Sequence, residues 1–295
     1  MLNLISFSGI FIFLGFAWLL STNRKKFNWR LVLSGTILQM IFALFFFKIP
    51  FGTKLFLFLN DLVIKLVDAS AEGAKFVFGS LALPPGTEGS HGFILAFQAL
   101  PTIIFFSALI SLLYFLNVMP LLIRAFAGIF SRILKISGAE ALCAASNIFV
   151  GVESAFTVRP HINDMTRSEL CTMLTAGMST VASNVLALYV FTLKDQFPTI
   201  AGHLISASIL SAPAAIVMSK ILLPEESVPK TLGVSIKPHY VKDSNFFEAI
   251  INGAQAGVKV IVGVASLLIA VLGLIALADI LFKAVGTPLN SMLGI

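Results

Sequence analysis

The run ASNIFVGVESAFTVRP, residues 145–160, gathers the side chains best suited to binding chemistry around one glycine: the amide of Asn147, the carboxylate of Glu153 and the hydroxyl of Ser154, flanking Gly151. An amide oxygen, joined by backbone carbonyls freed where a helix stops, suits a small hard cation such as Na⁺. A carboxylate has two acceptor oxygens and suits a partner rich in N–H or O–H donors. This run lies between long apolar stretches. An ionisable group at membrane depth costs about 3 kcal/mol or more, so its presence there is a functional hypothesis by default. Two plainer roles stay open on spacing alone: Asn147 as a cap or bridge between helices, and Glu153 as the structural ion-pair partner of Arg159.

The rest of the chain sets that polar island in lipid. Of 295 residues, 58% are hydrophobic and only 12% charged, with a mean hydropathy of +0.97, against roughly 25% charged in a soluble domain. The composition is that of a multispanning, multi-pass membrane protein. The net charge of +6 is carried mostly outside the apolar runs, as at Arg24, Lys25, Lys26 and Arg30, so it reports on topology and anionic headgroups and argues against nucleic acid as a partner. Cys143 and Cys171 lack any C-x-x-C spacing and read as free thiols. The first apolar run, Leu2 to Leu20, has no basic leader or small-residue cleavage site and reads as a retained helix.

At about 20 apolar residues per crossing, spans are expected at Leu4–Leu20, Leu31–Phe47 and Phe93–Leu116. The basic turn after the first span is placed in the cytoplasm. Between Pro50 and Gly92, charges at helix-like intervals predict a helix along the interface, and an amphipathic basic segment follows from Leu121 to Leu134. Three helix starts share one pattern, a capping side chain three residues ahead of a glutamate: Ser137/Glu140, Thr166/Glu169 and Asn245/Glu248. The second is expected to open one long helix over 166–193 and the third a helix to about Phe282. Residues 137–162 cannot form an ordinary span with Asn147, Gly151, Glu153 and Ser154 near the middle. A helix that enters halfway, breaks at Val150-Gly151-Val152 and returns is a re-entrant hairpin, tolerated where it is buried in protein or lines a cavity.

At these residues the chain resembles the concentrative nucleoside transporter family. The resemblance rests on Asn147-Ile148-Phe149-Val150-Gly151, then Glu153-Ser154, Val158-Arg159-Pro160, Asp164-Met165-Thr166-Arg167-Ser168-Glu169 and Ser179-Thr180-Val181-Ala182. It extends to Asn23–Arg30, Phe97–Pro101, Ser211–Pro213 and Asn252–Ala254, and so covers residues 1 to about 285.

The resemblance implies an all-α, multispanning helical transporter with a re-entrant hairpin, interfacial helices and an incomplete inverted repeat, assembled as a homotrimer and importing nucleosides on a Na⁺ or H⁺ gradient, without enzymatic chemistry. It places Asn147, the Val150 carbonyl, Thr180 and the Val181 carbonyl around the coupling Na⁺, and Gly151, Val152, Glu153 and Ser154 against the nucleoside. It divides the chain into scaffold spans and an interfacial helix (1–120), half of a transport domain (121–244), a further scaffold span (245–285) and a truncated tail (286–295). Two departures stand out. A single residue, Val152, replaces a Gln-Thr pair of base-contacting side chains, and Ala155 replaces a proline. The family's second hairpin lies beyond Ile295, so nucleoside recognition without coupled flux, or an inactive fragment, are the competing expectations.

Overall fold

A computed structural model describes residues 2–293, with the side chains of residues 2–7, 152 and 285–293 outside the description. The described residues fold into twelve α-helices: α1 Leu2–Leu19, α2 Trp29–Phe47, α3 Pro50–Phe78, α4 Leu95–Gln98, α5 Pro101–Phe115, α6 Val118–Leu134, α7 Gly138–Val150, α8 Ser154–Thr157, α9 Arg167–Ser179, α10 Ser183–Leu193, α11 Ile200–Leu222 and α12 Phe246–Leu293. Among the described residues, five stretches are long and apolar enough to cross a membrane: Trp29–Phe47, Leu95–Phe115, Arg167–Leu193, Ile200–Leu222 and Phe246–Ala284. Ile200–Leu222 is mostly buried among the other helices, whereas the other four expose most of their residues, as lipid-facing helices do.

Two helices are amphipathic. In α3 the buried residues Phe56, Asn60, Val67, Ser70 and Ala74 recur at three-, four- and seven-residue steps on one face, and Asp61, Lys65, Asp68, Glu72 and Lys75 fall off it. In α6, Ile123, Phe130 and Leu134 are buried, with Arg124 and Arg132 on other faces. Both are amphipathic, as their sequences predict. α6 is bracketed by two left-handed residues, Asn117 at φ 60° and Lys135 at φ 53°.

The capping pattern holds at two helix starts and shifts at the third. Ser137 and Glu140 form a reciprocal capping box on α7, and Thr166 and Glu169 do the same on α9. At α12, Asn245 accepts from Glu248 N at 2.9 Å, but the Glu248 carboxylate reaches one residue further back, to Ser244 N at 2.7 Å.

Three expectations need correction. The helix over 166–193 is broken: α9 stops at Ser179, Thr180 is extended (φ −130°, ψ 162°), and α10 restarts at Ser183. No glycine or proline marks this break. Hydroxyl and β-branched residues tolerate it, and bonds to the hairpin hold it open. The span expected from Phe93 to Leu116 is kept as Leu95–Phe115 but makes a turn at Ala99-Leu100, ahead of Pro101, which opens α5. Finally, α12 runs through the supposed tail as far as Leu293, and residues 294–295 lie outside the described residues.

The core is built on α7. All residues from Gly138 to Ile148 are buried, packed against α6, α9 and α11, and the small side chains of Ala139, Ala141, Ala144 and Ala145 permit that close approach. Asn147 is therefore wrapped in protein, whereas Glu153 and Arg159 further along the run are exposed. α12 lies along α5 through Gly253 and Gly257: a Cβ on Gly253 would come within 2.7 Å of the Ser107 carbonyl oxygen, and one on Gly257 within 2.8 Å of the Ile104 Cα. This Gly-x-x-x-Gly step went unremarked in the sequence, although it is the pattern that lets two membrane helices touch.

Candidate functional site

α7 is 13 residues long, about 20 Å at 1.5 Å per residue, and it stops at Gly151, which adopts φ 63°, ψ −140°. A short 3₁₀ turn over Gly151–Glu153 and the single turn of α8 then carry the chain back. The return is direct. Thr157 Oγ1 accepts from Ser146 Oγ at 3.1 Å, and Ser154 Oγ sits 3.6 Å from Cys143 Sγ, each pair eleven residues apart. Residues 137–162 thus fold back on themselves.

The second break meets the first. Asn147 Nδ2 donates to the Ala176 carbonyl and to Thr180 Oγ1, the latter at 2.6 Å, while Thr180 Oγ1 donates to the Asn147 carbonyl at 2.8 Å. Ser183, the first residue of α10, donates to the Phe149 carbonyl. Asn147 Oδ1 receives only a long bond, 3.5 Å, from Ser154 Oγ. Two helix C-termini, Val150 of α7 and Ser179 of α9, converge here, and with them the negative ends of two helix dipoles.

Asn147 therefore does bridge helices, and its oxygen remains the more weakly engaged end of the amide. The donor set fits Na⁺: neutral amide, hydroxyl and carbonyl oxygens, reinforced by two dipoles. Among the described residues no three His, Cys, Asp or Glu side chains cluster as a metal site, so the oxygens at the breaks are the donors on offer.

Glu153 opens into a cavity of about 480 Å³, lined by α5, the hairpin tip, the start of α10, the segment before α12 and α12 itself. No ion pair joins Glu153 to Arg159 among the described residues; both line this cavity separately. Gly151 sits at the junction of the two breaks and Ser154 is buried against α7. The Val152 side chain lies outside the description.

One further cluster was missed. Lys220, near the end of α11, reaches Glu140 Oε1 at 2.5 Å, Ser168 Oγ at 2.9 Å and Glu225 Oε2 at 3.2 Å, and Thr172 Oγ1 donates to the same Glu140 oxygen at 2.9 Å. Glu140 and Lys220 are both buried. This network ties the feet of α7 and α9 to the tail of α11. Its sequence signal was Lys220 inside an otherwise apolar helix.

Two interrupted helices thus meet at neutral oxygens beside a cavity lined by a carboxylate, in a bundle of apolar helices long enough to cross a membrane. Three family profiles cover most of the chain: Na⁺-dependent nucleoside transporter N-terminus over residues 8–81, nucleoside recognition ("Gate") over 96–196, and Na⁺-dependent nucleoside transporter C-terminus over 203–294. Nucleoside permease NupC of Helicobacter pylori is 34% identical over 280 residues, 94% of this chain and 65% of that protein. An uncharacterized transporter, YutK of Bacillus subtilis, is 35% identical over 97% of this chain and 70% of its own length. Sodium/nucleoside cotransporter 2 of Rattus norvegicus is 33% identical over 93% and 40%. The solved structure of CNTnw in an inward-facing, substrate-bound state superposes with a TM-score of 0.86 at 32% identity, over 98% of this chain and 68% of that one.

The chain belongs to the Na⁺-dependent, concentrative nucleoside transporter family and is a multi-pass membrane protein. It spans about two thirds of the NupC relative and about two fifths of the rat cotransporter.

Proposed function

We propose that the chain carries the ion- and base-binding half of a secondary transporter that imports nucleosides across the cell membrane on a Na⁺ gradient. One observation carries the reading: two helix C-termini and the Asn147–Thr180 pair meet at one point, beside a cavity into which Glu153 projects. In this account Asn147 Oδ1, Thr180 Oγ1 and the carbonyls of Val150 and Val181 hold Na⁺, and H⁺ is the alternative coupling ion. Bound Na⁺ would lock both breaks and so fix the tip of the hairpin. Gly151, Val152, Glu153 and Ser154 face the nucleoside, with Glu153 accepting from base N–H donors. The sequences of the NupC and cotransporter relatives support the substrate class.

The same reading takes the chain as a transporter without enzymatic chemistry, independent of nucleic acid. The apolar flank of α12, exposed at Leu267, Ile269, Leu274 and Phe282, supports packing against lipid and other copies of the chain, three by family resemblance. A second reading is nucleoside recognition without coupled flux, favoured by the "nucleoside recognition" profile over 96–196, the region that holds both breaks.

Uptake of radiolabelled nucleoside by proteoliposomes, with Na⁺ and pH gradients imposed separately, tests both. Coupled transport predicts accumulation driven by Na⁺, lost in Asn147→Ala. Binding without accumulation under either gradient supports the second reading. Accumulation that Asn147→Ala leaves equally Na⁺-dependent defeats the ion-site assignment.

A further inference from the structure

The cavity that receives Glu153 is walled in part by two tyrosines that the ion and hairpin assignments leave unused. Tyr114 stands at the end of α5 and Tyr240 in the segment joining α11 to α12, and both line the cavity. Their ring centroids are 5.5 Å apart and their planes inclined at 52°, so neither ring covers the face of the other.

Tyr240 is held on two sides. Its hydroxyl donates to Asn117 Oδ1 at 2.7 Å, and Asn117 occupies a left-handed conformation, φ 60°, that non-glycine residues rarely adopt. The neighbouring His239 N donates to the Thr157 carbonyl on the returning arm of the hairpin at 2.8 Å. The segment carrying Tyr240 is therefore pinned both to the joint between α5 and α6 and to the hairpin. The tether fixes where the ring stands while leaving it only partly buried.

The hairpin brings one carboxylate, Glu153, and the rings of Phe149 and Phe156 to this cavity, and the two tyrosines add aromatic surface to it from outside the hairpin. Aromatic rings prefer offset or tilted aromatic neighbours and gain from them beyond the area they bury. A cavity of about 480 Å³ lies within the usual range of small-molecule sites and joins such rings to polar groups, including Asn184 and Asp243. Asp243 already accepts from Asn252 Nδ2 at 2.6 Å through one oxygen, which orients its carboxylate on the cavity wall.

We propose that Tyr240, with Tyr114, forms an aromatic station for the base of a purine or pyrimidine nucleoside in the cavity that Glu153 lines. The inference rests on the nucleoside reading above. It makes Tyr240 a specificity-determining residue contributed by a segment outside the hairpin and outside both helix breaks.

Equilibrium binding of tritiated uridine and adenosine to the purified chain in detergent, at saturating Na⁺, tests it. Tyr240→Ala and Tyr114→Ala should each weaken binding about tenfold, the order expected for losing one base–aromatic contact. Tyr240→Phe, which keeps the ring and drops the tether, should lose less than Tyr240→Ala. Free ribose, which has no base, should compete equally against wild type and variants. The Na⁺-induced rise in melting temperature reports the ion site separately and should be unchanged in all three variants.

Unchanged dissociation constants in Tyr240→Ala and Tyr114→Ala, with wild type binding normally, overturn this proposal and leave the nucleoside reading standing. Wild type binding no nucleoside removes both. Should Tyr240→Ala lose the Na⁺ response through misfolding, Tyr240→Leu and Tyr114→Ala decide the matter by the same comparison.

Discussion

Gly151 and Ala182 touch: a Cβ placed on Gly151 would lie 2.9 Å from the Ala182 Cβ and 3.1 Å from its backbone nitrogen. The two helix interruptions are thus one structural object, with the glycine of the first pressed on the extended backbone of the second. Gly151 also holds φ 63°, ψ −140°, a region close to glycine-only that costs another residue about 1–3 kcal/mol. Gly79 has a similar backbone, φ 57°, ψ −129°, with nothing within 4 Å of its missing Cβ. Both Gly151→Ala and Gly79→Ala should lower the melting temperature in detergent. Only Gly151→Ala should also weaken the stabilisation by Na⁺, and equal Na⁺ responses in the two variants would argue against a shared ion junction.

The Glu140–Lys220 pair should behave as a buried ion pair whose partners cannot be separated. Lys220→Met strands the Glu140 carboxylate and should cost about 3–5 kcal/mol. The double variant Glu140→Gln with Lys220→Met keeps a capping group on α7 and removes the uncompensated charge, so it should recover most of that loss. Urea unfolding of the four species as a double-mutant cycle measures the coupling. Additive losses would mean that the two groups do not depend on each other.

Contact between α5 and α12 rests on missing side chains. Gly257→Leu drives a side chain into the backbone of α5, where the Cβ alone would meet Ile104 Cα at 2.8 Å, and overpacking of this kind costs about 1–3 kcal/mol. Gly263, further along α12, has nothing within 4 Å, and Gly263→Leu should be close to neutral. Thermal melts of the pair check this: indistinguishable melting temperatures would place α12 away from α5.

The turn between α1 and α2 is tied to the segment after α11 by Glu226, whose carboxylate accepts from Asn23 Nδ2 at 2.8 Å and faces Lys26 at 3.8 Å. The Asn23 bond first, and the Lys26 charge second, hold its pKa below the ordinary glutamate value. A pKa lowered by folding gives stability that is present above the unfolded-state value and is lost as pH falls through the folded one. Acidification below the ordinary glutamate range should therefore loosen this contact, seen as faster hydrogen exchange over residues 20–27. Glu226→Gln should remove the pH dependence, and identical acid responses in wild type and variant would contradict the assignment.

Much of this was readable in the sequence because it rests on local rules. Ser137/Glu140 and Thr166/Glu169 announced two helix starts through capping chemistry, and Gly151 amid polar residues announced a break, since only glycine takes its backbone conformation cheaply. Thr180 and Val181 enter as candidate site residues only through family resemblance. Nothing local distinguishes Ser179–Ala182 from continuing helix; the interruption exists because Asn147 and Ser183 tie the two breaks together across 33 and 34 residues of chain. Tyr240 and Lys220 escaped for the same reason, since Tyr240 meets Asn117 across 123 residues of chain, and Lys220 meets Glu140 on α7, Ser168 on α9 and Glu225 in the loop beyond α11.

The central claim is that both breaks together hold one Na⁺, and equilibrium binding of ²²Na⁺ to the purified chain tests it most directly. Saturable binding in wild type, abolished by Asn147→Ala and by Thr180→Val and retained in Glu153→Gln, is the result this structure predicts. Binding that survives both substitutions at the junction, or that disappears with Glu153→Gln alone, would place the ion elsewhere and contradict the account.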